Sequence, residues 1–262
     1  MNKISFVLPV HSKDNLLANT CISSIIKLYN NSDIDNFFII TNYSNVTYYK
    51  SNYDKYPFVK VINETEIYNK IESGWHYQQV LKLYISKYIN TDYYIILDSD
   101  CYLTKKINYS NLLVNNKPLV SLIHKHRNGW LIKSCEHFGI DYESLPENVL
   151  DVTPNLLHTK ITQKLIQDYD VASLIFGGCN EFWLYFCYII KHNDFDALYH
   201  VDINSQLSTN GVWVQDHIIS SIKDTIDNQF KSEKTLFTLF QSNMNIDRNI
   251  YLPIINENIN AI

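Results

Sequence analysis

Two carboxylates one residue apart, in Asp98-Ser99-Asp100, are the groups in this sequence best suited to hold a hard divalent cation. They follow Tyr93-Tyr94-Ile95-Ile96-Leu97, an aromatic and β-branched run that reads as a buried strand. In an open α/β sheet, ligands collect outside the carboxyl ends of the strands. Both acids can there face one ion. Mg²⁺ or Mn²⁺ takes carboxylate oxygen and completes its shell with water and substrate phosphate, and such an ion neutralises charge on a departing diphosphate. The alternative is a polar turn that caps a strand. Against it, two adjacent acids at a buried sheet edge repel unless something compensates.

Further groups suit a transfer reaction. Glu181 is the candidate general base for an acceptor hydroxyl. It follows Gly177 and Gly178, where a backbone without Cβ lets a ligand approach closely. The alternative is an acid that complements a helix dipole, with Asn180 as N-cap. In His124-Lys125-His126-Arg127-Asn128-Gly129-Trp130, Arg127 would offer a cation to the diphosphate and Trp130 an aromatic platform to the acceptor. A solvated loop is the competing reading. Thr153 and His158, with Asp151, would shape a substrate pocket. No Gly-x-Gly-x-x-Gly or Walker loop is present, which argues against dinucleotide oxidoreductases and P-loop enzymes. No nucleophile elbow appears either.

These groups need a scaffold. Apolar runs at 4–10, 37–41, 58–62, 93–97 and 119–123 read as strands. Helical periodicity covers 16–29 and 75–88, the latter with a mainly polar stripe of Trp75, Gln78, Gln79 and Lys82. That stripe is otherwise a solvated helix face. The strand–helix–strand rhythm implies a mostly parallel sheet with crossover helices. Later segments read as helices at 159–168, 180–191 and 214–227 and a strand at 236–240, with the last dozen residues a loosely held tail.

Length and composition set the class. A chain of 262 residues, 46% hydrophobic and 19% charged, can bury a sizeable core, and one α/β domain over 1–262 is the expectation. A net charge of −5 argues against a nucleic-acid partner. No apolar run approaches the roughly 18 residues of a spanning helix, and the amino-terminal one is too short for a signal peptide. Five cysteines without metal spacing suit a reducing compartment, so a cytoplasmic location is expected.

The order of these motifs resembles the GT-A glycosyltransferases. Phe6-Val7-Leu8-Pro9-Val10-His11-Ser12-Lys13-Asp14 is similar to their first strand and nucleotide loop. Gly74-Trp75-His76-Tyr77-Gln78-Gln79-Val80-Leu81-Lys82 ahead of Asp98-Ser99-Asp100 resembles a bacterial and viral glycosyltransferase-like group with a Trp–Gln-Gln–Lys helix before its DxD motif. The likeness covers roughly residues 4–190. It implies a nucleotide-sugar half (about 1–123) and an acceptor half (about 124–262). Pro9, Val10, His11 and Asp14 would lie against the nucleotide, with Gln78, Gln79 and Lys82 facing the same crevice. Lys82 would meet a phosphate or pair with an acid near Asp98. Asp100 would be the main metal ligand, with Asp98-Ser99 on the ribose or the ion. GT-A enzymes often draw a third ligand from a late segment, for which His217 and Gln241 are the candidates. The reaction implied is metal-dependent, inverting transfer from a nucleotide-diphosphate sugar, taken as a UDP-sugar, to a glycan or other hydroxyl. The rivals are a nucleotidyltransferase, whose Gly-rich loop is missing here, and a catalytically silent nucleotide- or glycan-binding module.

Overall fold

The computed structural model describes residues 3–69, 74–202, 204, 206–208, 211–218 and 220–262. Strand β1 (Ile4–Val10) is buried throughout, and helix α1 (Asn15–Leu28) returns the chain to β2 (Ile34–Thr41). Helix α2 (Tyr43–Tyr53) leads to β3 (Val59–Asn63), then α3 (Glu64–Ile67) and α4 (Trp75–Tyr84) lead to β4 (Tyr93–Ile96). Short strands follow: β5 (Cys101–Leu103), β6 (Leu113–Val114), β7 (Lys117–Pro118) and β8 (Leu122–His124). Helix α5 (Gly129–Phe138) precedes β9 (Asn148–Leu150) and β10 (Asn155–His158). Four helices come next: α6 (Thr159–Asp168), α7 (Val171–Phe176), α8 (Glu181–His192) and α9 (Phe195–Leu198). The chain closes with β11 (Gln206–Ser208), α10 (Ile222–Lys231), β12 (Thr235–Leu239) and α11 (Arg248–Ala261).

The central sheet has the order β10-β4-β1-β2-β3, with β4, β1, β2 and β3 parallel and β10 antiparallel to β4. A second sheet, β11-β12-β5, pairs Leu239 with Cys101 and so brings the last strand to the residue after Asp100. Side chains alternate across a strand, and β1 divides accordingly. Phe6 and Leu8 enter a core with α1, α10 and α11, while Val7 enters a second core with α4 and α8. Burial on both faces is why the inner strands β1 and β4 read as mainly apolar runs, whereas edge strand β3 carries the exposed Lys60. No helix among the described residues is long and apolar enough to cross a membrane.

Three expectations change. The run at 119–123 does not join the central sheet: its strand is Leu122–His124 and pairs with β9, and the fifth position goes to β10. The helix expected at 214–227 is a 3₁₀ turn, Gln215–His217, followed by α10; residue 219 lies outside the described residues. The expected loose tail is α11, whose Tyr251, Leu252, Ile255 and Ile259 are buried against α1 and α10. Its apolar residues recur at helical spacing, and Lys27 on α1 reaches Asn260 near its end.

Candidate functional site

The Asp98-Ser99-Asp100 turn leaves the sheet at its carboxyl edge. Leu97 still donates its N–H to the Val7 carbonyl at 2.9 Å, and Cys101 N–H returns to the Asp98 carbonyl at 3.1 Å, closing the turn. The end of β12 seals it from the other side. Phe240 N–H reaches the Asp100 carbonyl at 3.1 Å, and Ser242 N–H donates to Asp100 Oδ2 at 2.9 Å. Asp100 is buried, which pushes its carboxyl up to about 7; the Asp98 charge adds to this and the Ser242 hydrogen bonds oppose it.

Beneath the turn lies a buried lysine. Lys82 Nζ is 2.8 Å from Asp98 Oδ1, 2.9 Å from Glu181 Oε1 and 3.4 Å from Thr153 Oγ1. Burial works to lower its pKa, but Asp98 and Glu181 outweigh burial and hold the ammonium well above its ordinary value. Helix α4 makes this arrangement possible. Trp75, Gln78, Gln79 and Lys82 are spaced three or four residues apart, so one side of the helix carries them all. Gln79 Oε1 accepts the Glu181 N–H at 3.2 Å, while Asn180 Oδ1 caps the next N–H groups of α8. Helix α4 therefore holds both the backbone and the carboxylate of Glu181.

Above the acids is a cleft of about 450 Å³. Pro9, Val10, His11 and Asp14 line it from the end of β1, and Asn42 and Glu64 from the ends of β2 and β3. Gly74, Trp75 and Gln78 come from the start of α4, and Gln241, Ser242 and Asn243 from beyond β12. These are the carboxyl ends of the parallel strands, the binding edge of an open α/β sheet. A larger hollow of about 520 Å³ runs along edge strand β3, past Phe38, Val59 and Val61, and holds neither acid of the turn.

The donor set suits a hard cation. Asp98 and Asp100 offer carboxylate oxygen, and a cation between them would favour the charged form of the buried Asp100 carboxyl. Among the described residues no group of three His, Cys, Asp or Glu side chains converges on a metal position. Two acids with the remaining positions left to water and phosphate match the way Mg²⁺ is usually bound.

Several expected residues sit elsewhere than their roles require. Gln79 faces inward and holds α8, while Lys82, of its two expected partners, takes the acid: it pairs with Asp98 and Glu181. Glu181 is 2% exposed, and burial raises its pKa against the opposing Lys82 charge. A general base must touch the acceptor hydroxyl; this carboxylate touches Lys82. His158 packs between the rings of Tyr93 and Tyr199, with centroids 4.6 and 5.2 Å away. Strand β10 is antiparallel to β4, so Asn155 lies opposite Ile96 near the cleft while His158 has run back to Tyr93. Gly178 has φ +99°, a left-handed backbone that side chains rarely adopt, so local geometry demands this glycine. The Gly177 carbonyl accepts from Lys133. Arg127 is exposed in the loop before α5. His217 is exposed too, its Nδ1 accepting the Trp213 N–H at 3.2 Å, and the late segment that reaches the acids is Gln241–Asn243. Thr153 is buried on Lys82, and Trp130 stands against Trp75, with ring centroids 4.9 Å apart.

Sequence reasoning passed over Asn42, Glu64 and Arg248. The first two are recognisable as polar residues within two positions of the end of an apolar run. Arg248 is not: it donates to Asp14 Oδ1 and to the Lys13 carbonyl, each at 2.8 Å, across a separation of more than 200 residues.

Two solved structures that superpose on this chain are glycosyltransferases. The bifunctional glycosyltransferase WbbM, in its apo structure, superposes with a TM-score of 0.54 at 12% identity, over 98% of this chain and 50% of its own. The glycosyltransferase GlyE of Streptococcus pneumoniae TIGR4 superposes with a TM-score of 0.51 at 13% identity, over 100% of this chain and 63% of its own. The chain thus has the α/β fold of the GT-A type, and it spans only half to two-thirds of the length of these neighbours. No curated protein matches the sequence. A family model described as a family of unknown function (DUF6492) matches residues 1–260, and the chain belongs to that family.

Proposed function

We propose that this protein transfers a sugar from a nucleoside-diphosphate donor, a UDP-sugar in the simplest case, to a hydroxyl of a glycan acceptor. The observation that carries this reading is the pair Asp98 and Asp100 on the floor of a cleft built from the carboxyl ends of parallel strands, in a fold shared with glycosyltransferases. In this reading Asp98, Asp100 and the Gln241–Asn243 segment hold Mn²⁺ or Mg²⁺. When bound, the ion serves as Lewis acid and clamp for the diphosphate. Pro9, Val10, His11 and Asp14 contact the nucleoside, with Asn42 and Glu64 beside them and Gln78 opposite. Lys82 fixes the orientation of Asp98, and Glu181 holds Lys82 in place, a positioning role instead of general base. The first half of the chain, with Gln241–Asn243 from the second, receives the donor, and the acceptor meets both halves.

Calorimetric titration with UDP, GDP and CDP, each with and without Mn²⁺, tests the reading. One nucleotide should bind only with the metal, and Asp100→Ala should remove that binding while its circular dichroism stays unchanged. Equal binding without metal, or full binding in Asp100→Ala, would overturn the metal assignment. No nucleotide binding under any condition would turn the reading to a silent module.

A further inference from the structure

Two indoles stand in water at the mouth of the cleft. Trp75 is 46% and Trp130 40% exposed, and their rings meet at 4.9 Å with an interplanar angle of 41°. Behind them Trp183 is 3% exposed, its ring 6.2 Å from Trp130 and its Nε1–H fixed on the Leu150 carbonyl at 2.9 Å. The wall is therefore pinned by a buried anchor. Contiguous exposed aromatic surface beside a polar cleft marks a binding surface.

Trp75 itself lines the cleft above Asp98 and Asp100, whereas Trp130 lies outside that lining, so the aromatic surface runs outward from the cleft. An occupant must span the same path. The nucleoside half of a donor is provided for at the ends of β1, β2 and β3. A surface leading out of the cleft from α4 towards α5 and α8 suits the second substrate. A pyranose has a face of C–H groups that stacks on an indole and an edge of hydroxyls that needs polar partners. Gln78, one turn after Trp75, lines the cleft and offers its amide to that edge.

We propose that Trp75 and Trp130 form a stacking platform for a pyranose ring of a glycan acceptor, presenting its hydroxyl to the cleft over Asp98 and Asp100. The proposal rests on the glycosyl-transfer reading and names the acceptor class of that same site.

Saturation-transfer NMR and tryptophan fluorescence with maltotriose, cellotriose and chitotriose test it, with UDP plus Mn²⁺ as the control ligand. At least one trisaccharide should bind the wild-type protein. Trp130→Ala should weaken that binding about tenfold, which corresponds to about 1.4 kcal/mol, and leave the UDP affinity within about twofold. Trp130→Tyr, which keeps an aromatic face, should retain most of the sugar affinity. The proposal is overturned if no trisaccharide binds, if Trp130→Ala and Trp130→Tyr both leave sugar affinity unchanged, or if Trp130→Ala weakens UDP as much as the sugar. Trisaccharide binding that depends on Trp130, in a protein that binds no nucleotide, would support the platform and sink the transferase reading.

Discussion

Replacing Lys82 with Met tests the buried charge cluster most directly. Met keeps the length of the side chain and most of its volume, so the packing cost is small. What is lost is the ammonium that lies 2.8 Å from Asp98 and 2.9 Å from Glu181. Deleting one partner of a buried ion pair costs about 3–5 kcal/mol, because the other charge is left uncompensated. The two acids do not share that cost equally. The Asp98 side chain is 38% exposed and can rehydrate, whereas the Glu181 side chain is 2% exposed and cannot. Most of the penalty therefore falls on Glu181, and the expected loss is about 3 kcal/mol, at the lower end of that range. Urea unfolding at pH 7 measures it, as a fall in midpoint at constant slope. Glu181→Gln removes the stranded charge, so Lys82→Met with Glu181→Gln should be at least about 1 kcal/mol more stable than additivity of the single variants predicts. The reasoning fails if Lys82→Met stays within about 1 kcal/mol of wild type, or if the two costs simply add.

Two further tests address other parts of the structure. Burial lowers the pKa of His158 against the Leu198 carbonyl and the Asp92 charge, so the folded state favours the neutral ring. A depressed folded pKa contributes stability that is present above the unfolded value of about 6.5 and is lost as pH falls through the folded value, by at most about 1.4 kcal/mol per pH unit. Guanidinium unfolding at pH 7 and pH 5 should show a smaller acid loss in His158→Phe than in wild type, and equal losses would refute the assignment. Arg248→Ala frees Asp14 and the Lys13 carbonyl from the last helix. Because this pair is partly exposed, the stability cost should be no more than about 1 kcal/mol. The affinity for UDP with Mn²⁺ should fall several-fold in calorimetry as the His11–Asp14 turn loosens; an unchanged affinity would separate Asp14 from the nucleotide site.

Local chemistry settled much of this protein before any tertiary contact is considered. The buried strands at 4–10 and 93–96 are almost wholly apolar because both faces of a parallel sheet are covered, and such runs are legible residue by residue. The acid pair is legible too, since it stands directly after such a run, although a strand-capping turn reads the same way. The α4 stripe was readable as a period, although a period gives only relative direction along one helix. Whether Gln79 and Lys82 face solvent or α8 depends on what packs there, and that partner lies about 100 residues away in sequence. The same limit separates His217 from the Gln241–Asn243 segment. Choosing between them requires knowing that β12 pairs with β5, which is a matter of sheet register. His158 looked like a pocket residue until the antiparallel course of β10 carried it to the far end of β4. The last helix was missed because its apolar spacing is diluted by Asn and interrupted by Pro253, and its weak pattern gains meaning only against α1 and α10. Sequence alone showed the acid pair and the apolar strands that lead to it. Only tertiary structure decided which groups meet, because burial, register and strand direction are properties of pairs of segments and are not encoded within either one.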